Sequence, residues 1–168
     1  RQTPCFVDKP MTWTLREAKA LLDLGEKKGT PVVTCSQKSL TPEFAKFKKQ
    51  VAKCGKVIAV NSTGRCNIKS PYGGIFFYGI HQIDTIIELA GTDAKRVHVQ
   101  KASPNAVATI TFKDGRVATM NALKHAGTFH WRVVTEKGVV CFLEERAGKR
   151  YLPMGKMVYG LLKRGEAP

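Results

Sequence analysis

The 168-residue sequence lacks several features that mark special classes of protein. It has no unbroken apolar run of about 18 residues, the length that a membrane-spanning helix needs. Its first residues, RQTPCFVDKP, have no basic start, apolar middle or small-residue cleavage site, and no initiator Met. We therefore expect no membrane or signal segment here, and a chain that begins inside a longer, cytoplasmic protein.

Paired cysteines are also lacking. The chain has five cysteines, an odd number, and they are widely spaced with no C-x-x-C pair. This pattern favours neither a disulfide framework nor a zinc site, so we expect no metal and a reducing compartment.

Acidic residues are few. The sequence has 13 Asp and Glu against 28 Lys and Arg, which gives a net charge of +15 and a pI near 9.9. Such a surface attracts anions, which makes nucleic-acid binding one hypothesis. The basic residues are spread along the chain, however, without an RNA-binding signature or a recognition-helix pattern. We therefore favour a solvated basic surface over nucleic-acid binding. An acidic missing half of the protein, or an anionic substrate or cofactor, explains the charge equally well.

Residues 1–36 have the order strand, helix, strand. PCFV and PVVTCS are short strand candidates, and between them LREAKALLDLGEKKG has apolar residues at helical spacing, with Thr14 as N-cap and Gly29 at its end. This is the repeating unit of a parallel α/β sheet. We therefore interpret residues 1–36 as the end of a wound α/β domain.

Residues 37–168 have a different pattern. A helix is predicted from Thr41 as N-cap, with Pro42 at its first position, and a second helix covers IFFYGIHQIDTIIELAG. Five β-rich runs follow, with hairpin turns at KDG and EKG, and then a last helix in LPMGKMVYGLLKRG. We predict an α+β domain: an open, mostly antiparallel sheet with helices on one face.

Several stretches together resemble the Gfo/Idh/MocA (glucose–fructose oxidoreductase, inositol dehydrogenase and MocA) family of oxidoreductases. VDKP resembles the family's Glu-Lys-Pro at the end of a Rossmann strand, with Asp8 in place of Glu. PYGGIFFYGIHQIDTIIELAG resembles its Gly-x-His-x-x-Asp helix, here Gly79, His81 and Asp84. The sheet hairpins and the late helix also match, whereas the family's glycine-rich dinucleotide fingerprint is not in this sequence.

The resemblance implies a fragment: residues 1–36 as the remnant of an NAD(P)-binding Rossmann domain, and residues 37–168 as the C-terminal substrate and oligomerisation domain. It implies an enzyme that transfers a hydride between NAD or NADP and a sugar, cyclitol or related polyol, with the fragment inactive by itself. It also implies a homo-oligomer formed through the open sheet face. The alternative is a non-catalytic ligand-binding or oligomerisation protein that retains the fold.

The resemblance also supplies catalytic candidates. Lys9 contacts the reacting hydroxyl near the nicotinamide in the family, and Pro10 fixes the turn beside it; both are cofactor-side residues. An ammonium there can stabilise negative charge and move a proton. His81 is the second candidate, as general acid/base or hydrogen-bond partner. Asp84, three residues on, lies on nearly the same helix face and could orient His81.

Further residues are candidates for the substrate pocket. Tyr78 could supply a hydroxyl, and KVIAVNSTGR, a strand candidate between the two helices, leads into a loop with polar side chains for polyol hydroxyls or a carboxylate: Arg65, Asn67 and Lys69. Many active family members carry an Asp four residues before the His, where this chain has Phe77. We therefore predict that Phe77 faces the pocket or its wall, and that His81 acts mainly as a neutral hydrogen-bonding group.

Overall fold

The chain alternates short strands and helices before it enters a larger sheet, as a computed structural model describes for residues 3–144 and 151–165. The elements, in chain order, are β1 Cys5–Phe6, α1 Leu15–Lys27, β2 Val32–Val33, α2 Pro42–Lys53, β3 Val57–Arg65, α3 Ile75–Ala90, β4 Ala94–Ala102, β5 Asn105–Phe112, β6 Val117–Leu123, β7 His130–Thr135, β8 Gly138–Leu143 and α4 Leu152–Arg164.

The predicted strand, helix, strand order of the first residues is confirmed. Strands β1 and β2 pair in parallel, with Cys5 opposite Val32. Helix α1 begins where the sequence predicts, because the Thr14 hydroxyl accepts the Glu17 backbone N–H at 3.2 Å. The run PVVTCS is a shorter strand than predicted: only Val32–Val33 pair, and residues 34–36 continue without regular structure toward the site described below.

The main sheet has six strands in the order β4-β5-β6-β3-β7-β8. Neighbouring strands are antiparallel except β3 and β6, which pair in parallel with Asn61 opposite Thr119. Both predicted hairpins are present, joining β5 to β6 and β7 to β8. The predicted α+β class with a mostly antiparallel sheet is confirmed.

Helices α2 and α3 cover one face of this sheet. The Thr41 hydroxyl caps α2 by accepting the Phe44 backbone N–H at 3.2 Å, and Phe44, Phe47 and Val51 are buried at the helical spacing read from the sequence. They pack with inward side chains of the strands, among them the fully buried Trp131. Burying an aromatic or branched aliphatic side chain contributes about 1.5–3 kcal/mol, so this layer dominates the folding free energy.

The division at residue 36 into two domains stays a prediction. Among the described residues, no helix is long and apolar enough to cross a membrane. The described side chains also contain no group of three or more His, Cys, Asp or Glu positioned to hold a metal ion.

Candidate functional site

An open cavity of about 460 Å³ lies between the turn after β1, the last residue of β3, the first half of α3 and the start of α4. Its walls combine titratable, hydroxyl and aromatic side chains: Asp8, Lys9, Cys35, Gln37, Lys38, Arg65, Tyr78, His81, Thr128, Phe129, Glu144, Tyr151 and Met154. The predicted residues Lys9 and His81 thus lie on one cavity, brought there from elements 72 positions apart in sequence.

Lys9 reaches this cavity from the turn that follows β1, and its peptide bond to Pro10 is cis. Its Nζ donates to the Phe77 carbonyl oxygen at 2.8 Å and lies over two rings, 4.4 Å from the Phe77 centroid and 4.9 Å from that of Tyr78. Burial lowers the pKa of Lys9 below its usual value, while Asp8 opposes the shift. The ammonium is therefore anchored to α3 and more easily deprotonated than a free lysine.

His81 lies on the inner face of α3 and is buried. Its Nδ1 is 2.8 Å from the Ser36 hydroxyl, which also accepts the Lys38 backbone N–H at 3.1 Å. Among the described residues, the Ser36 hydroxyl hydrogen has no acceptor other than Nδ1. A hydroxyl that donates to Nδ1 places the ring proton on Nε2, so the neutral imidazole can present Nε2–H as a donor.

The charge state of His81 has a clear physical cause. Burial, followed by the nearby ammonium groups of Lys9 and Lys38, lowers the pKa of His81 to about 3. The imidazole is therefore neutral at physiological pH, as the sequence predicted. The sequence-based argument for a neutral imidazole rested only on Phe77 in place of a carboxylate. In the structure, burial and the charges of Lys9 and Lys38 also disfavour the protonated form.

Asp84 does not contact His81. It accepts the Ser39 hydroxyl at 2.5 Å and the Ser36 backbone N–H. Burial raises the pKa of Asp84, and these two hydrogen bonds oppose the shift. Asp84 thus holds the turn that carries Ser36, and Ser36 in turn contacts the imidazole.

Sequence reasoning gave no role to Ser36 and Gln37, which lie in the polar turn of residues 36–38. Gln37 lines the cavity, and its Oε1 is buried with no hydrogen-bond partner among the described residues. Lys38 forms a buried ion pair with Glu144 and lies 4.4 Å from the centroid of the Phe129 ring. The signal was present in TCSQKS, a polar run directly after a strand of a parallel pair, the edge where ligands bind α/β sheets.

The remaining predicted pocket residues separate into three groups. Arg65 and Tyr78 line the cavity, with the Arg65 guanidinium 5.8 Å from the Tyr78 ring centroid. Asn67 lines a second, neighbouring cavity instead. Lys69 is exposed and lines neither cavity.

Phe77, which we predicted to face the cavity of Lys9 and His81 or its wall, lines the second cavity and is not among the residues that line the first. Its ring contacts Tyr72 and Tyr78 at centroid distances of 5.2 and 5.0 Å, and it lines the second cavity. The aromatic ring and the Phe77 carbonyl both contact the Lys9 ammonium, where many relatives are expected to have a carboxylate. Lys9 therefore has cation–π and carbonyl contacts here rather than an ion pair on α3.

This fold is that of the C-terminal part of known dehydrogenases. The chain is similar to a protein assigned as a myo-inositol dehydrogenase from Sinorhizobium meliloti, with a TM-score of 0.84 at 16% identity over 97% of this chain. It is similar to GenD2 from gentamicin A biosynthesis, solved in complex with NAD, with a TM-score of 0.82 at 14% identity over 98%. The UDP-N-acetylglucosamine 3-dehydrogenase GnnA from Acidithiobacillus ferrooxidans follows, with a TM-score of 0.75 at 16% identity over 98%.

The predicted resemblance to Gfo/Idh/MocA dehydrogenases, C-terminal portion, is confirmed at the level of the fold. The chain spans 63–64% of the length of these three proteins. No protein-family model matches the sequence, and no curated protein matches it. The neighbours are oxidoreductases, and at these identities they define the architecture around the cavity rather than its substrate.

Proposed function

We propose that this chain is the substrate-side part of an NAD(P)-dependent oxidoreductase of the Gfo/Idh/MocA family, acting on a sugar, cyclitol or related polyol. The observation that carries the proposal is the meeting of Lys9, Tyr78 and neutral His81 on one open cavity, within a fold similar to sugar and cyclitol dehydrogenases. The cytoplasmic location stays a prediction.

Lys9 is the proposed proton-handling group at the reacting oxygen. Its burial lowers its pKa, so the amine can accept the hydroxyl proton of an alcohol, and as an ammonium it can return that proton to a carbonyl oxygen. The Phe77 carbonyl oxygen, 2.8 Å from Nζ, accepts a hydrogen bond that holds the Lys9 side chain in place between catalytic cycles.

His81 is the proposed hydrogen-bond donor to the substrate. As an Nε2–H tautomer it can bind the same oxygen or its neighbour, stabilising negative charge without itself changing protonation state. Gln37 complements it, because its Oε1, which has no hydrogen-bond partner in the described parts of the chain, can accept a hydroxyl hydrogen of a polyol. Tyr78 and Arg65 supply further donors on the same wall, whereas Asp84 acts through the Ser36 turn.

NAD or NADP, when bound, accepts or donates the hydride. The residues of this chain fit the nicotinamide end only: Lys9 and Pro10 form the turn beside the cavity, and Tyr151 and Met154 line its rim. The glycine-rich fingerprint that holds the dinucleotide phosphates is not in this sequence. The fragment alone is therefore proposed to be inactive.

Turnover of a panel of polyols by the full-length protein tests this function. We expect Lys9→Met to lower kcat by about 10²-fold or more and His81→Ala to lower it less, since general acid–base catalysis contributes about 10²–10⁴-fold. Lys113→Met, in the exposed hairpin turn after β5, is the matched control and should retain activity. Wild-type turnover in both site variants would reject the assignment.

The alternative is a non-catalytic binding protein, favoured by Phe77 in the position where many relatives carry Asp. The contact of Lys9 with the Phe77 carbonyl would then be permanent and structural. Binding of a polyol by the full-length protein, with no nicotinamide-dependent turnover of any member of the panel, would select this alternative.

We also propose a homo-oligomer formed through the open face of the sheet. That face combines exposed Val107, Val117, Val139 and Leu143 with central polar side chains, including an Asn61 side chain that donates to Thr119 at 2.8 Å. Asn121 likewise donates to Thr63 at 3.0 Å, so these polar side chains of the face are already hydrogen-bonded to each other and do not need partners from a second copy.

A further inference from the structure

A second cavity of about 260 Å³ adjoins the proposed reaction cavity. The two share Arg65 and Tyr78 as walls. The other walls of the second cavity come from the loop before α3, from Phe77, and from the turn after β6, where Lys124 and His125 lie.

The second cavity is cationic, and its described lining contains no carboxylate. Arg65 and Lys124 are exposed and form no ion pair with any described residue, whereas other cations of the fold have carboxylate partners, as in Lys38 with Glu144 and Arg116 with Asp93. An Arg and a Lys on one small cavity, both without a counter-ion, leave positive charge that a ligand can neutralise.

Neutral donors line the same walls. The Asn67 side-chain oxygen accepts the Lys69 backbone N–H at 3.0 Å, which leaves its amide N–H₂ to donate. The Ser70 hydroxyl oxygen accepts the Tyr72 backbone N–H at 3.3 Å, so its hydrogen is also available. Charged and neutral donors without a nearby carboxylate are the chemistry of an oxyanion site.

We propose that this cavity binds an oxyanion group of the substrate, a carboxylate or a phosphate, while the reacting carbinol lies at Lys9 and His81. The position given to the reacting carbinol rests on the proposed function. The guanidinium of Arg65 can bind such a group through two parallel hydrogen bonds, and Lys124, which follows the β6 residue paired with Arg65, adds a second cation. The substrate is thus an acidic sugar or cyclitol derivative rather than a neutral polyol.

The spacing of the two cavities suits one molecule. Lys9 Nζ and the Arg65 guanidinium flank the same Tyr78 ring, at 4.9 and 5.8 Å from its centroid. Because both cations lie beside one aromatic ring, a monosaccharide with one charged substituent can reach from one to the other.

Binding to the chain itself, followed by two-dimensional NMR, tests the proposal without turnover. The probes are glucuronate, glucose 6-phosphate, inorganic phosphate and uncharged glucose. The site variant is R65Q/K124Q, and the control is R16Q/K113Q, which removes the same charge from exposed positions of α1 and the β5–β6 turn. The single variant R65K keeps the charge and removes the planar guanidinium.

We expect an anionic sugar to bind at least about tenfold more tightly than glucose, with shifts at residues 65–72 and 124–125, and R65Q/K124Q to abolish that difference. R65K should retain part of this preference for the anionic sugar over glucose, and the control variant should retain all of it. Comparing glucuronate with glucose 6-phosphate separates a carboxylate from a phosphate site.

Equal binding of glucose and both anionic sugars would overturn the proposal, as would equal losses in the site and control variants, which would indicate general charge attraction. Loss of turnover in Lys9→Met bears on the proposed function alone. Anionic-sugar binding without any nicotinamide-dependent turnover would leave the oxyanion site standing and reject the enzyme.

Discussion

At the scale of single residues, the site depends on one buried hydroxyl. Ser36 joins the turn held by Asp84 to the imidazole of His81, and we expect its hydroxyl to set which ring nitrogen carries the proton. Ser36 is not among the residues that line the cavity, so its proposed role is positioning rather than catalysis.

Ser36→Ala should allow His81 to populate both of its neutral tautomers. Without the hydroxyl, Nδ1 loses its donor, and the proton can move from Nε2 to Nδ1. We expect the imidazole ¹⁵N shifts to report a mixed tautomer and turnover of the full-length protein to fall about tenfold. An unsatisfied buried nitrogen also costs about 1–3 kcal/mol of stability.

Ser39→Ala is the matched control, because Ser39 donates to Asp84 and does not contact His81. Its ring ¹⁵N shifts should equal those of the wild type. Unchanged shifts in Ser36→Ala would show that the hydroxyl does not set the tautomer.

The depressed pKa of His81 makes folding sensitive to acid. In the unfolded chain the imidazole titrates near its usual 6.5, and in the folded chain near about 3, so the unfolded state binds more protons between these values. Stability therefore falls as the pH drops from about 6.5 toward 3, with a loss of about 2 kcal/mol from this group by pH 5.

Urea unfolding of the wild type and His81→Gln at pH 7 and pH 5 measures this contribution. The glutamine variant keeps a polar side chain but does not titrate, so its stability should fall less between the two pH values. The raised pKa of Asp84 is a feature of both proteins, so its contribution cancels in the comparison. Parallel losses in the two proteins would contradict a buried neutral His81.

At the scale of elements, the end of β3 packs closely against one wall of the cavity. Gly64 allows the Phe129 ring to approach the backbone of this strand. A Cβ at Gly64 would lie 2.2 Å from the Phe129 ring, and Phe129 forms the cavity wall against Lys38. Phe129 also stacks on Trp131 at a centroid distance of 5.9 Å, so it cannot move without disturbing the core.

Gly64→Ala should therefore destabilise the fold by about 1–3 kcal/mol, the usual range for overpacking a core. Thermal unfolding followed by circular dichroism measures this change. Gly155→Ala in α4, where a new Cβ meets nothing within 4 Å, is the control and should be neutral or slightly stabilising. Equal melting temperatures for the wild type and Gly64→Ala would refute the close approach.

At the scale of the whole molecule, the open sheet face decides whether the chain self-associates. Thr109 lies exposed on β5, one strand in from the edge strand β4, and opposite Thr119 of β6. Thr109→Arg would place a charge within the proposed interface, and a charge buried there without a partner costs several kcal/mol. We expect it to convert the oligomer into a monomer.

Sedimentation velocity over a range of concentrations checks this outcome. Thr92→Arg, at an exposed position just after α3, adds the same charge outside the face and should leave the oligomer intact. A wild type that sediments only as a monomer at high concentration would reject the interface.

The elements of the molecule were predictable from local signals, and the site was predictable only in part. Thr14 and Thr41 cap helices through hydrogen bonds to residues three positions away, so the sequence alone defines those starts. The parallel pairing of β3 with β6 depends on strands 58 positions apart and had no local signal. The resemblance located Lys9 and His81, but Ser36 contacts an imidazole 45 positions away and became visible only in the fold.

Helix α3 carries both the site and part of the core. His81 faces the cavity, the next residue, Gln82, accepts the Ser62 hydroxyl at 3.0 Å, and Thr85 accepts the Trp131 indole N–H at 2.8 Å. A substitution at the inner face of α3 therefore acts on the cavity and on the sheet together. The residues of the loops after β3 and β6 that border the second cavity lie outside the buried core, so they are the places where the cavity lining can be altered separately from the packing of the sheet.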